Sequence, residues 1–171
     1  MKKIKIFLSE FHQYVEKPWY PYIMGVIAFV DYFLIIIPLD AMVVASIIAC
    51  RKRWFMISLW TTLGSSLGAV LFSLLIQFYG IRFIQTWFPH LLDGDFAHMC
   101  EKWLHHYGSI ALFVIAAMPL AQHPTVAIAT LAQIATVTIG VTMLLGRFFK
   151  YCVYSWFIFR FRPHKKVELP G

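Results

Sequence analysis

Five ionisable side chains interrupt long apolar stretches of the sequence and could carry chemistry there. They are Asp31, Asp40, His123, Arg147 and Lys150. Carboxylates can take up protons, histidine titrates near neutral pH, and arginine offers paired donors to a carboxylate or phosphate. In a membrane, such groups cost about 2.5–3.5 kcal/mol each even on lenient insertion scales and usually serve a function. We therefore predict that these residues bind a substrate or protons.

Four of these residues, all except Asp31, also have a purely structural interpretation. Asp40 follows Pro38 closely and could cap the helix that starts there. Arg147 and Lys150, three residues apart on one helical face, would simply lie at the membrane interface if the membrane span ended at Gly146. Within a span they would need an anionic partner, which Asp31, Asp40 or a lipid phosphate could supply. His123 could do no more than donate a hydrogen bond to a freed carbonyl.

The amino-acid composition indicates whether the surface of this chain faces water or lipid. Sixty per cent of the residues are hydrophobic, 13% are charged, and the mean hydropathy is +0.71. A soluble domain is usually about 45–50% apolar and about 25% charged, so these values exclude a soluble enzyme, a disordered tail and a disulfide-stapled module. The sequence predicts an all-α integral membrane protein.

Charge and motifs exclude several partners. The net charge is +7, but the basic residues cluster at the ends of apolar runs, a pattern typical of topology signals and acidic-lipid contacts rather than of nucleic-acid binding. No Gly-rich phosphate loop, nucleophile elbow or HExxH motif marks an enzyme. His98, Glu101 and His105 share a helical face and could bind a metal, but an exposed loop helix is favoured. We expect no cofactor and no metal.

Proline breaks divide the apolar stretches into two similar halves. Residues 18–50 are interrupted at Pro38 and predict a re-entrant helix hairpin, because each arm is too short to cross a membrane. Residues 54–81 predict a transmembrane helix. The second half repeats the order, with a hairpin over 103–133 broken at Pro119 and Pro124, and a transmembrane helix over 134–159.

The basic residues predict that the two halves are inverted. Positive charges precede and follow the first hairpin and end the chain, whereas residues 82–102 carry few. By the positive-inside rule both termini are cytoplasmic, so one hairpin enters from each face. The basic clusters are Lys2, Lys3, Lys5, Lys17, Arg51, Lys52, Arg53, Arg160, Arg162, Lys165 and Lys166.

The ends of the chain and one alternative complete the predicted topology. Residues 1–17 predict an amphipathic interfacial helix, and residues 163–171 a cytoplasmic tail. The apolar side of the N-terminal helix comprises Ile4, Phe7, Leu8, Phe11 and Val15. The alternative is four plain spans, with Pro38 and Pro119 as kinks and residues 147–162 in the interface.

The span over 54–81 contains the sequence Gly64-Ser65-Ser66-Leu67-Gly68. Small residues four apart let two membrane helices approach closely. We predict that Gly64 and Gly68 are packing residues, in contact with a hairpin arm.

Taken in order, these motifs resemble the DedA/VTT-domain (SNARE-associated) membrane proteins. The resemblance rests on Asp31 and Asp40 with Pro38 between them, the Gly64/Gly68 span, Pro119, and Gly146-Arg147-x-x-Lys150, over about residues 20–160. It is closest to the short YqaA-like branch, whose first motif is acid-Ser-Ser-x-x-Pro-x-Pro-Pro-Asp. Two departures are Ala121 in place of the second proline of the later motif and His123 at its lysine position.

The resemblance implies two opposed re-entrant hairpins and a role in moving lipids between leaflets. Bacterial relatives are linked to recycling of undecaprenyl phosphate with proton coupling, and eukaryotic ones to phospholipid scrambling. Asp31 and Asp40 match the acids of the first motif, and Arg147 matches the arginine of the Gly-Arg motif. Lys150 stands where a second arginine is usual.

We expect a flippase or scramblase of the bacterial inner membrane that acts on an anionic lipid. The partners would be polyprenyl phosphate or phospholipid, with protons and a homo-oligomer as further options. One alternative is a non-transporting scaffold that shapes the membrane. The other is a proton-coupled exporter of small cations.

Overall fold

The computed structural model describes residues 13–34, 38–89, 92, 94–118 and 123–161. The regular structure within those ranges is helical. The helices are α1 Tyr20–Leu34, α2 Leu39–Ala49, a 3-10 turn Arg51–Arg53, α3 Trp54–Tyr79, α4 Ile81–Trp87, α5 Asp95–Tyr107, α6 Ser109–Ala117, α7 His123–Leu131 and α8 Thr136–Phe161.

Two long helices form the centre of the bundle and run antiparallel. Both α3 and α8 contain 26 residues, about 39 Å of helix at 1.5 Å per residue. Near the middle, the Ser66 hydroxyl donates to the Gly140 carbonyl at 2.7 Å, and nearer one end the Phe55 and Phe148 rings lie 5.9 Å apart. Both helices are long and apolar enough to cross a membrane.

The first proline break separates two helices that fold back on each other. α1 ends at Leu34, and α2 begins directly after Pro38. The Tyr20 hydroxyl in the first turn of α1 lies 2.7 Å from the Ser46 hydroxyl in the last turns of α2. Since the start of one helix meets the end of the other, α1 and α2 form an antiparallel hairpin.

Glycines bring α1 against α3. A methyl group on Gly64 would overlap the Gly25 carbonyl, and one on Gly68 would lie 3.0 Å from the Phe29 carbonyl and 3.2 Å from the Tyr32 Cβ. Both predicted packing glycines therefore lie in the interface between α3 and a hairpin arm, where the absent side chains allow the backbones to approach.

The second half contains the same kind of contact. A methyl group on Gly146 in α8 would lie 2.8 Å from the Phe113 carbonyl and 2.7 Å from the Ala116 Cβ. In each half, a glycine of the long helix faces a carbonyl of the preceding arm and the side chain three residues later. This likeness agrees with the predicted repeat, although the local sequences differ.

Two details of the second half differ from the sequence-based expectations. The predicted arm that starts at Trp103 is divided at Gly108, whose φ of 55° ends α5 before α6 begins. Pro124 lies in the first turn of α7, where its missing N–H has no intrahelical acceptor, so it begins a helix rather than breaking one. Pro119 lies outside the described residues.

The helix α8 also decides against part of the alternative topology. It continues without interruption through Gly146 and Arg147 to Phe161. Residues 147–161 are therefore not a separate segment.

The basic segments meet at one end of the bundle. Arg53 donates to the Lys17 carbonyl at 2.8 Å, and Arg51 donates to the Ile158 carbonyl at 3.1 Å. The entrance to the first hairpin, its exit and the end of α8 are therefore neighbours. Residues 1–12 of the predicted N-terminal helix and the tail 163–171 lie outside the described residues, and Val15 is fully buried.

Candidate functional site

An ion pair joins the first hairpin to α8. The Lys150 ammonium donates to Asp40 Oδ2 at 2.9 Å, and the Tyr151 hydroxyl donates to Asp40 Oδ1 at 3.2 Å. The Lys150 side chain is 3% exposed and that of Asp40 is 36% exposed. Asp40 lies in the first turn of α2, but Pro38 is the N-cap residue and no side chain caps this helix. The capping interpretation of Asp40 is therefore wrong.

The two basic residues of α8 lie at its centre. Counted from Thr136, Arg147 is residue 12 and Lys150 is residue 15 of 26. Arg147 is 5% exposed and Lys150 is 4% exposed. The helix continues for eleven residues beyond Lys150, so both residues lie within α8 rather than past its end.

Arg147 reaches across to α1. Its Nη2 donates to the Tyr32 hydroxyl at 3.0 Å, and its guanidinium carbon lies 5.1 Å from the centre of the Tyr32 ring. Asp31 precedes Tyr32 in the last turn of α1 and is 7% exposed. The predicted acid and base of the two halves are thus held within the same buried region.

His123, in the first turn of α7, contacts the last turn of α1. Its ring centre lies 4.9 Å from that of Tyr32, and the imidazole is hydrogen-bonded to the backbone of Asp31. The last four carbonyls of a helix lack intrahelical partners, and Asp31 is in the final turn of α1. His123 thus bonds to a freed backbone group, as one sequence-based interpretation proposed. Its Nε2 is buried without a hydrogen-bond partner among the described residues.

We refer to Asp31, Asp40, His123, Arg147 and Lys150 as the charged cluster. The structure brings all five together around two aromatic hydroxyls, those of Tyr32 and Tyr151. The sequence analysis missed both tyrosines, since neither is charged at neutral pH. The only available signal was that each is adjacent to a cluster residue, at positions 31 and 150.

A second missed feature lies in α3. Ser58, Thr61 and Thr62 are at most 1% exposed, and their hydroxyls have no hydrogen-bond partner in the described part of the chain. We refer to them as the hydroxyl turn. Buried hydroxyls are normally bonded, because an unmet one costs about 1–3 kcal/mol. Hydroxyl residues spaced three and four apart in an apolar span were a visible signal that the sequence analysis did not use.

The charged cluster can exchange partners. Asp40 is the more exposed member of its ion pair, so the pair is open to solvent on the carboxylate side. Protonation of Asp40 would leave Lys150 without its carboxylate, and an anion with several oxygens could replace that carboxylate. An arginine and a lysine together favour a phosphate or carboxylate as that anion.

The described residues give no support for a metal centre. No group of three His, Cys, Asp or Glu side chains that could hold a metal occurs among them. His98 and Glu101 approach each other at 3.9 Å on α5, but both side chains are about two-thirds exposed.

Comparison with known proteins adds no relative. No family model, curated protein or solved structure matches the chain. The functional argument therefore rests on the sequence motifs and on the geometry of the charged cluster.

Proposed function

We propose that this protein is an integral membrane protein of the DedA/VTT type that moves an anionic lipid between the leaflets of the bacterial inner membrane. The lipid is a polyprenyl phosphate such as undecaprenyl phosphate, or a phospholipid. Its headgroup passes through the charged cluster while its tails stay in the bilayer. The observation that carries the proposal is that Lys150, paired with the half-exposed Asp40, and Arg147 are buried at the middle of a helix long enough to span a membrane.

The exposed surface supports a bilayer as the solvent. Large apolar side chains are exposed along α1, α3 and α8, where a water-soluble protein of this size would place polar residues. They include Val26, Val30, Leu67, Leu71, Leu74, Val137, Val141, Leu145 and Phe149.

Helix lengths support re-entrant hairpins. With 15 and 11 residues, α1 and α2 are about 22 Å and 16 Å long, less than the roughly 30 Å hydrocarbon core. The helices α6 and α7 contain nine residues each, about 14 Å. Helix ends at membrane depth must be covered by protein or water. His123, in the first turn of α7, supplies such cover at the end of α1 through its bond to the backbone of Asp31.

The orientation follows from the basic end. Lys17, Arg51 and Arg53 lie close to the end of α8, so one face of the bundle collects the positive charge. The positive-inside rule places this face in the cytoplasm, with both termini on that side.

Transport then requires an exchange at Asp40. In the conformation described, Asp40 neutralises Lys150 and covers the cationic groups. Either protonation of Asp40 or the approach of a lipid phosphate releases Lys150, which then shares the headgroup with Arg147. When the headgroup leaves to the other side, Asp40 rebinds Lys150.

Reconstituted vesicles test the proposal. Fluorescent phosphatidylglycerol is added symmetrically, and the fraction bleached by external dithionite reports lipid movement. Wild-type protein should raise that fraction above one half, and Asp40→Asn, Asp31→Asn and Arg147→Gln should each slow the movement. Asp95→Asn, in the first turn of α5, and Arg160→Gln, near the end of α8, are matched controls. Full activity of the three cluster variants would contradict the proposal.

A non-transporting scaffold is the second candidate, and the burial of the cluster favours it. Arg147 and Lys150 are at most 5% exposed, so a protein that never opened would look the same. Cysteines introduced at residues 39–42 separate the two functions. A transporter should expose them to a water-soluble thiol reagent, and added anionic lipid should change the labelling rate. A scaffold should leave them unlabelled under both conditions.

A further inference from the structure

The hydroxyl turn of α3 differs from the other buried hydroxyls of the bundle. Serine and threonine in a helix usually donate back to a carbonyl of the preceding turn. Ser46, Thr130 and Ser155 do so, at 2.7, 2.7 and 2.8 Å. The hydroxyls of Ser58, Thr61 and Thr62 make no such bond, and these residues are 0%, 0% and 1% exposed. Three adjacent donors are thus buried together and remain available.

The pairing of α3 with α8 shows which residue of α8 lies at the level of this turn. Ser73 and Gln77 bond to Thr136, at 3.3 and 2.8 Å, and Ser66 bonds to Gly140. Positions 136, 140 and 147 are four and seven residues apart and so share one face of α8.

Ser66 pairs with Gly140, and the two helices run in opposite directions. Moving seven residues forward along α8 reaches Arg147, and the same distance along α3 runs backward from Ser66 to residue 59. That level lies between Ser58 and Thr61. The hydroxyl turn is therefore level with the backbone of Arg147 along the helix pair, and Thr62, four residues before Ser66, shares the face of α3 that meets α8.

We propose that Ser58, Thr61 and Thr62 form the second half of the anion site and donate hydrogen bonds to phosphate oxygens of the lipid headgroup. The inference rests on the proposed function and adds residues to its site. Arg147 and Lys150 supply the opposite charge, and the three hydroxyls supply the directed neutral donors. A metal cation is disfavoured there, since both basic side chains repel it. The unbonded hydroxyls are the feature that distinguishes a binding role from ordinary packing.

Stability and binding measured together test this assignment. The triple variant Ser58→Ala/Thr61→Val/Thr62→Val removes the hydroxyls and keeps similar volumes. The matched control is Ser66→Ala, whose hydroxyl is on the same helix but is bonded at 2.7 Å. Thermal unfolding in detergent is followed with dioctanoyl phosphatidic acid as the probe and dioctanoylglycerol, which lacks the phosphate, as the control lipid.

Phosphatidic acid, but not dioctanoylglycerol, should raise the Tm of the wild-type protein. The triple variant should keep the Tm of the lipid-free protein or raise it, and should need about tenfold more phosphatidic acid for half of the shift. Ser66→Ala should lower the lipid-free Tm and leave the lipid dependence unchanged. If the triple variant fails to fold, Thr61→Val alone should show a weaker form of the same response.

Three results would overturn the inference: no shift in the wild type, equal lipid dependence in both proteins, or a lipid-free Tm that falls in both hydroxyl variants as it does in Ser66→Ala. Lipid movement in vesicles is scored separately. If phosphatidic acid shifts the Tm selectively but no lipid moves in the vesicles, only the proposed transport function is contradicted. If lipid moves in the vesicles but the triple variant keeps the wild-type dependence of Tm on phosphatidic acid, only the role of the hydroxyl turn is contradicted.

Discussion

The Asp40–Lys150 pair should respond asymmetrically to removal of either partner. Breaking a buried ion pair from one side costs about 3–5 kcal/mol, because the remaining charge stays buried and unpaired. Lys150 is 3% exposed, so Asp40→Asn leaves a buried ammonium. The introduced amide oxygen would still accept a hydrogen bond, and the site is open on the Asp40 side, so we expect a smaller loss of about 2 kcal/mol.

Lys150→Met should cost less. The carboxylate that it leaves behind is 36% exposed and also accepts from the Tyr151 hydroxyl, so hydration and that bond stabilise it. Methionine retains most of the apolar contacts of the lysine stem. We expect a loss of about 1 kcal/mol or less. The double variant lacks the buried charge, so its loss should be about 1 kcal/mol and the coupling about 2 kcal/mol.

Equilibrium unfolding in mixed micelles, followed by tryptophan fluorescence, measures all four proteins. Glu101→Gln, which removes the exposed 3.9 Å contact with His98, is the control and should change stability by less than about 0.5 kcal/mol. Equal losses for the two single variants, or losses that add in the double variant, would refute the reasoning from burial.

Three further predictions concern packing, the cluster and topology. Gly64→Ala should destabilise the protein by about 1–3 kcal/mol because the methyl group meets the backbone of α1, whereas Gly94→Ala, with open space around it, should be nearly neutral by the same unfolding assay. Tyr32→Phe should lower the free energy of unfolding by about 1–2 kcal/mol because it removes an acceptor of the buried guanidinium; an unchanged value would show that this bond is not stabilising. In sealed vesicles, thiol reagents should label Lys52→Cys and Lys102→Cys from opposite sides; labelling of both from one side would contradict the positive-inside orientation.

The helix boundaries near prolines could be predicted because proline acts locally. Pro38 interrupts a helix whatever the tertiary contacts around it are, so the boundary between α1 and α2 follows from the sequence. Glycine carries less information. Gly108 adopts a positive φ and ends a helix, whereas Gly64 and Gly68 lie within one. Their neighbours decide between these roles, so the division of the predicted arm at Gly108 was missed.

The members of the charged cluster could be predicted, and the two acids could be named as possible partners of the two bases, but which acid pairs with which base could not be predicted. A charge in an apolar stretch is visible in the sequence and implies a cost that something must offset. Which partner offsets it depends on helix contacts between residues more than 100 positions apart, such as Asp40 with Lys150. The capping interpretation of Asp40 failed for this reason, because a tertiary partner took the place of the local one.

Neutral polar residues were the least predictable part of the site. Tyr32 and the hydroxyl turn carry no charge, and isolated hydroxyls are common in membrane helices. Their importance becomes visible only when the burial and hydrogen bonds of each hydroxyl are known.

Depth within a bilayer tests the central claim most directly. Nitroxide labels are placed at Ala41 and Met118, which are exposed and lie next to the two hairpin tips, with Lys52 and Lys102 labelled as references outside the apolar stretches. The relative accessibility of each label to oxygen and to a water-soluble nickel complex gives its depth.

If the two hairpins turn back within the membrane, the labels at Ala41 and Met118 should both lie near the bilayer centre, about 15 Å from the edge of the hydrocarbon core. The labels at Lys52 and Lys102 should lie at opposite headgroup regions. A label at Ala41 or Met118 found at headgroup depth would contradict the account.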